Sequence, residues 1–133
     1  MNFPPFPPNS VFFTLSADKI QLLNDKNLTI SKLDGNGKII RSKKITSTLY
    51  NKTYGSFFFI VNNWSEAQLF FTEGINYLLF DYGNQVTAEV KITVKMNNAN
   101  STINYLLVEY NNRIIKPTRI IVSSLESNLY VMN

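Results

Sequence analysis

Hydrophobic and polar residues alternate along most of this chain with a period of two, the repeat of strands rather than helices. The clearest stretch runs from Val86 to Met96. Val86, Ala88, Val90, Ile92, Val94 and Met96 fall on one side; Thr87, Glu89, Lys91, Thr93 and Lys95 fall on the other. That pattern predicts a half-buried antiparallel strand with one wet face. β-Branched and aromatic runs predict further strands over Val11–Leu15, Leu28–Leu33, Lys38–Ile45, Gly55–Val61, Gln68–Thr72, Asn76–Tyr82, Thr102–Tyr110, Arg119–Val122 and Leu129–Met132. No window carries an apolar stripe at helical spacing, although Ser65–Leu69 and Ser123–Ser127 are each long enough for one turn.

Turn chemistry separates these runs. Asp34-Gly35-Asn36-Gly37, between Leu33 and Lys38, supplies the positive φ that a tight hairpin needs. Tyr82-Gly83-Asn84-Gln85 is a second turn, feeding the alternating strand. Pro117 interrupts Ile114–Val122, which makes that segment an edge strand, a bulge or two pieces. Many short strands at close spacing predict an all-β chain, an antiparallel β-sandwich of jelly-roll or immunoglobulin-like type. The simplest division is one sandwich domain over residues 11–133 and an extended arm over residues 1–10.

The arm is set apart by its prolines. Four of the five in the chain fall in Phe3-Pro4-Pro5-Phe6-Pro7-Pro8. Proline fixes φ and lacks an N–H donor, so the stretch is expected to be polyproline II rather than a paired strand. Three readings compete: a frayed terminus, an arm docking Phe3 and Phe6 on a neighbouring subunit, and a ligand for a proline-recognising domain. No basic residue precedes the short apolar run Val11–Leu15, so no signal peptide is recognised. The longest unbroken apolar run, Phe57–Val61, is far below a membrane span of about 18 residues, and a soluble chain is expected.

Apolar residues also exceed what one core needs. Phe58 and Ile60 fall on one face of their strand, while Phe57, Phe59 and Val61 fall on the other. Tyr77–Tyr82 and Tyr105–Tyr110 are similarly two-sided. A sheet in a two-layer fold has one inner face, so two-sided strands imply a second burial partner. Phe3, Phe6, Phe57, Phe59, Tyr105 and Tyr110 are the candidate subunit-interface residues.

Composition then narrows the chemistry. The chain has 133 residues, 44% hydrophobic and 17% charged, with no cysteine and no histidine. These zeros exclude disulfides, thiol nucleophiles, thiolate or imidazole metal sites and a Ser-His-Asp triad. No catalytic residue, metal site or cofactor is expected. Net charge is +4; residues 1–55 carry eight Lys/Arg against three Asp/Glu, and residues 56–133 carry five against six. Residues favoured by AT-rich codons (Phe, Tyr, Met, Ile, Asn, Lys) number 61, against 17 for Gly, Ala, Arg and Pro, which points to an AT-rich genome.

Each remaining candidate has a plainer rival. Asp34-Gly35-Asn36-Gly37 lacks the alternating oxygens and closing Glu of a calcium loop and reads as a turn. Glu66, Glu73 and Asp81 lie near aromatic residues, as glycosidase carboxylates do, but solvated loop charges explain them better. Lys38, Arg41, Lys43 and Lys44 form the one dense basic run without interleaved aromatics, which suits a guarded sheet edge better than nucleic acid. Four N-x-S/T sequons are close to the roughly three expected from the Asn and Ser/Thr content, so they add little. Trp64, in a polar setting after a hydrophobic strand, is either a core residue or, with Tyr50 and Tyr54, a ligand-binding patch.

Taken together, these features predict a non-enzymatic structural or interaction subunit that self-assembles as a homo-oligomer or with other structural subunits. A virion or cell-surface component suits the composition and the arm. The alternative is a carbohydrate- or receptor-binding β-sandwich module using Trp64, Tyr50 and Tyr54.

Overall fold

The computed structural model describes residues 11–133 other than 17, 25, 26, 47, 62, 84, 123 and 124. The proposed arm, with Phe3 and Phe6, lies outside the described residues. The strands are β1 (Phe12–Leu15), β2 (Thr29–Leu33), β3 (Ile39–Lys44), β4 (Leu49–Asn51), β5 (Gly55–Phe59), β6 (Gly74–Asp81), β7 (Thr87–Asn97), β8 (Thr102–Tyr110), β9 (Arg113–Ile115), β10 (Thr118–Val122) and β11 (Leu125–Met132). Two short helices, α1 (Gln21–Asn24) and α2 (Trp64–Phe70), complete the described elements.

The strands form two sheets, ordered β10-β11-β1-β5-β4 and β3-β2-β6-β7-β8-β9. All-β class therefore holds. Among the described residues pairing is antiparallel with one exception: β1 runs parallel to β11, with Phe12 opposite Leu129 and Leu15 opposite Met132. The wholly antiparallel expectation is corrected there, because the first and last described strands lie side by side in one sheet.

From Ala88 to Val94 the alternation does what its period predicts, but Val86, expected on the buried side, precedes β7 and is exposed. Ala88, Val90, Ile92 and Val94 are buried, while Thr87, Glu89 and Lys95 are exposed. They join one core shared by both sheets, to which β1, β5 and β11 contribute Phe13, Phe58 and Tyr130. Phe13 stacks on Tyr130 at 5.6 Å between ring centroids, and Phe58 meets Phe80 of the opposite sheet at 6.2 Å. Such aromatic pairs add about 0.5–1.5 kcal/mol beyond their buried area. The Tyr82 and Tyr110 hydroxyls, both buried, satisfy each other at 2.9 Å.

β5 is two-sided, as its sequence implies. Its second face builds a smaller cluster of Phe12, Phe57, Ile120, Val122 and Leu129 on the side of the five-stranded sheet away from the main core. β1 divides its residues between the two, with Phe12 in the small cluster and Phe13 in the large one. Burying Phe12, Phe13 and Leu15 contributes about 1.5–3 kcal/mol each.

Two local expectations change, and a third segment takes one of the forms its proline allowed. Gln68–Thr72 is not a strand: Trp64–Phe70 is helical, with the Asn63 side chain accepting from Glu66 N at 2.8 Å as an N-cap. Ala67 and Phe70, three residues apart, are its buried face, and that spacing outweighs local β propensity. Ser123–Ser127 is not a helical turn where it is described, since β11 begins at Leu125. Ile114–Val122 is two pieces: β9 edges one sheet, β10 edges the other, and Pro117 lies in the connection. Proline's missing N–H carries no penalty at a crossover between sheets. The predicted Asp34 hairpin is present, with Asp34 Oδ1 accepting from Asn36 N and Lys38 N at 2.8 and 2.9 Å.

Candidate functional site

The outer face of the six-stranded sheet combines concavity, charge and exposed apolar groups. Register places Leu33, Tyr77, Lys91, Glu109 and Ile114 in one row across β2, β6, β7, β8 and β9. Cross-strand neighbours on one face lie within about 5.5 Å at Cβ, so these side chains share a surface. A cleft of about 460 Å³ opens over this row, walled by the Asp34 hairpin on one side and Asn112 on the other. Leu79 and Glu89, paired across β6 and β7, extend it by one row.

The electrostatics of the cleft are mixed. Lys91 Nζ stands 5.8 Å from the Tyr77 ring centroid, a cation–π distance. Among the described residues the ion pairs are Lys43–Glu66 and Arg119–Glu126, so Lys91, Glu89 and Glu109 enter none. An aromatic face beside unpaired donors and acceptors can hold a polar ligand by stacking and hydrogen bonding. Asp34 directs one carboxylate oxygen at its own turn, and no group of three or more potential metal ligands occurs among the described residues.

Beyond the cleft the same face turns apolar. A register shift between Thr93 and Val94 leaves Leu106 as an extra residue in β8. Leu106 and Leu107 consequently stand exposed in succession, at 61% and 37%, and Ile75, paired through Thr93 with Leu107, is 57% exposed.

The residues singled out from sequence scatter. Phe57 and Tyr110 are buried within the chain, so neither presents side-chain surface in this arrangement. Phe59 is half-buried against the small cluster, and Tyr105 packs on the main core, 5.7 Å from the Phe71 ring. Burial raises the phenols of Tyr82, Tyr105, Tyr110 and Tyr130 above the ordinary tyrosine value. Trp64 packs against the main core while Tyr54 packs against the small cluster; Tyr50, on edge strand β4, is 75% exposed. The structure does not gather these three into one patch.

The three weighed carboxylates are also apart. Glu66 pairs with Lys43, Glu73 accepts from Met96 N at 3.1 Å, and Asp81 accepts from Gly83 N at 2.9 Å. The basic run does occupy an edge: β3 is the outermost strand of its sheet. Sequence reasoning passed over the row of Tyr77, Lys91 and Glu109, whose signal was the wet face of β7 and the second side of β6. Among the described residues no helix is long and apolar enough to cross a membrane. No protein-family model, curated protein or solved structure matches the chain.

Proposed function

We propose that this protein is a non-enzymatic interaction subunit that self-assembles, built as a β-sandwich. The observation that carries the reading is the exposed apolar group Ile75, Leu106 and Leu107 on one sheet face. Contiguous apolar surface on a sheet is a common mark of a protein contact. A homo-oligomer is the simplest partner arrangement, because one copy then offers the same patch to another. A virion or cell-surface setting belongs to the same reading, supported by the AT-rich composition and the Pro/Phe-rich residues 3–8. Light scattering across a concentration series tests it. Oligomers that grow with concentration, and that weaken in Leu106→Ser/Leu107→Ser, are expected; a clean monomer at every concentration overturns it.

A carbohydrate- or receptor-binding module is the second reading, and the Tyr77 cleft is what favours it. Ring stacking on Tyr77, with hydroxyls bonded to Glu89, Glu109 and Lys91, is a chemistry that suits a saccharide. Titrating neutral oligosaccharides while following tyrosine ring resonances tests this. Shifts lost in Tyr77→Ala support the module, and an unperturbed spectrum removes it.

A further inference from the structure

We infer that β1 is exchanged between copies, so that Phe12–Leu15 of one chain completes the five-stranded sheet of another. This rests on the self-assembly reading and adds to the Ile75, Leu106 and Leu107 face a second contact between copies, in the other sheet. β1 precedes every other described element, and residues 16–20 lead from it to α1. Yet it sits in the middle of its sheet, between β11 on one side and β5 on the other. Among the described residues the hairpins β10–β11 and β5–β4 have no other strand between them.

All four β1 side chains are buried, on both faces of the sheet. Phe12 packs edge-on against Phe57 at 5.2 Å, and Phe13 lies 6.0 Å from Phe58. Thr14 Oγ1 donates to the Ser56 carbonyl across the same slot. Withdrawing β1 leaves a slot lined with unpaired backbone groups of β11 and β5, which a strand of matching sequence fills. The matching strand is the β1 of another copy. Every contact that β1 makes in its own chain is reproduced there, which is the condition for strand exchange at low cost.

The connecting segment suits the exchange. Asp18 and Lys19 are exposed, and the turn is held by local bonds: Ser16 Oγ to Asp18 Oδ1 at 2.6 Å and Lys19 N to the Ser16 carbonyl at 2.8 Å. Ile20, packed against the main core, anchors the far end of the segment, so the opening falls on the residues before it.

The test uses the full chain, whose lack of cysteine makes cross-linking clean. Thr14 and Val131 are registered partners on adjacent strands, a separation a disulfide can span. Thr14→Cys/Val131→Cys is oxidised in the oligomer fraction and run on a denaturing gel without reductant. Covalent multimers that collapse to monomer on reduction are expected. A bridged monomer alone, from material still oligomeric by light scattering, overturns the exchange and leaves self-assembly standing. A monomer by light scattering throughout overturns both. Mixing two tagged pools of the unmodified chain provides a second measurement. Slow subunit exchange, accelerated at least tenfold by denaturant below the unfolding midpoint, is expected; complete exchange within seconds in buffer overturns the proposal.

Discussion

The two sheets turn opposite kinds of outer face to their surroundings. Outside the five-stranded sheet, Phe12, Phe57, Ile120, Val122 and Leu129 are buried together, with Leu49, Tyr54, Phe59 and Val131 packed around them. Outside the six-stranded sheet, charged and polar side chains of β7 alternate with exposed Ile75, Tyr77, Leu106 and Leu107. Both faces belong to strands that are apolar on two sides. One closes on itself and the other stays open. Two-sided hydrophobicity therefore marks a need for burial without saying whether the same chain meets it.

The largest effect expected from this contrast is at the closed face. Phe57→Ala should cost about 3–5 kcal/mol of stability, whereas Ile75→Ala on the open face should stay within about 0.5 kcal/mol. Urea unfolding midpoints compare the two; equal costs would erase the distinction between the faces.

Next comes alkaline pH, which probes the shared core between the faces. Burial holds the Tyr82 and Tyr105 hydroxyls protonated beyond the pH at which unfolded tyrosine ionises. Their folded pKa values are raised, so above about pH 10 the unfolded chain has fewer bound protons than the folded one, and stability falls as pH rises. Each fully retained proton removes about 1.4 kcal/mol per pH unit. Urea midpoints between pH 9 and 11.5, with phenolate absorbance followed at each, should show stability falling as unfolding releases the buried hydroxyls.

A smaller change is expected at the Lys43–Glu66 pair, which ties edge strand β3 to α2. Lys43 also donates to the Ile60 carbonyl. With both side chains about a third exposed, solvent screens the pair, and Lys43→Met should cost about 1 kcal/mol or less. A thermal melt in low and high salt checks it: the difference between variant and parent should narrow as salt is added. Smallest in stability, and sharpest for the open face, is Leu106→Ser/Leu107→Ser. Its melting should match the parent within about 0.5 kcal/mol, while sedimentation should show association weakened at least tenfold.

Much of the fold was legible because period-two alternation is a local property. β7 and the Asp34 hairpin appear where their residues predict, since a pleated strand and a type of turn depend on neighbours in sequence. α2 is legible only in part: Ser65–Leu69 is long enough for one turn, but Gln68–Thr72 looks apolar and extended in isolation. Its Asn63 cap and the Trp64, Ala67, Phe70 spacing point to a helix only when read from the preceding polar residues. β4 and β9, at three residues each, are too short to carry a period. The candidate site was less legible. Tyr77, Lys91 and Glu109 are 14 and 18 residues apart along the chain, and strand register alone brings them side by side.

Period, turn chemistry and the missing Cys and His determined by themselves an all-β chain without thiol or imidazole chemistry. Tertiary structure decided which apolar faces close, that β1 lies parallel to β11 in the middle of a sheet, and where the cleft opens. The physical reason is range. Alternation and turns are settled by torsions and side chains a few residues apart, whereas pairing partners and burial depend on segments that meet only after the chain has folded.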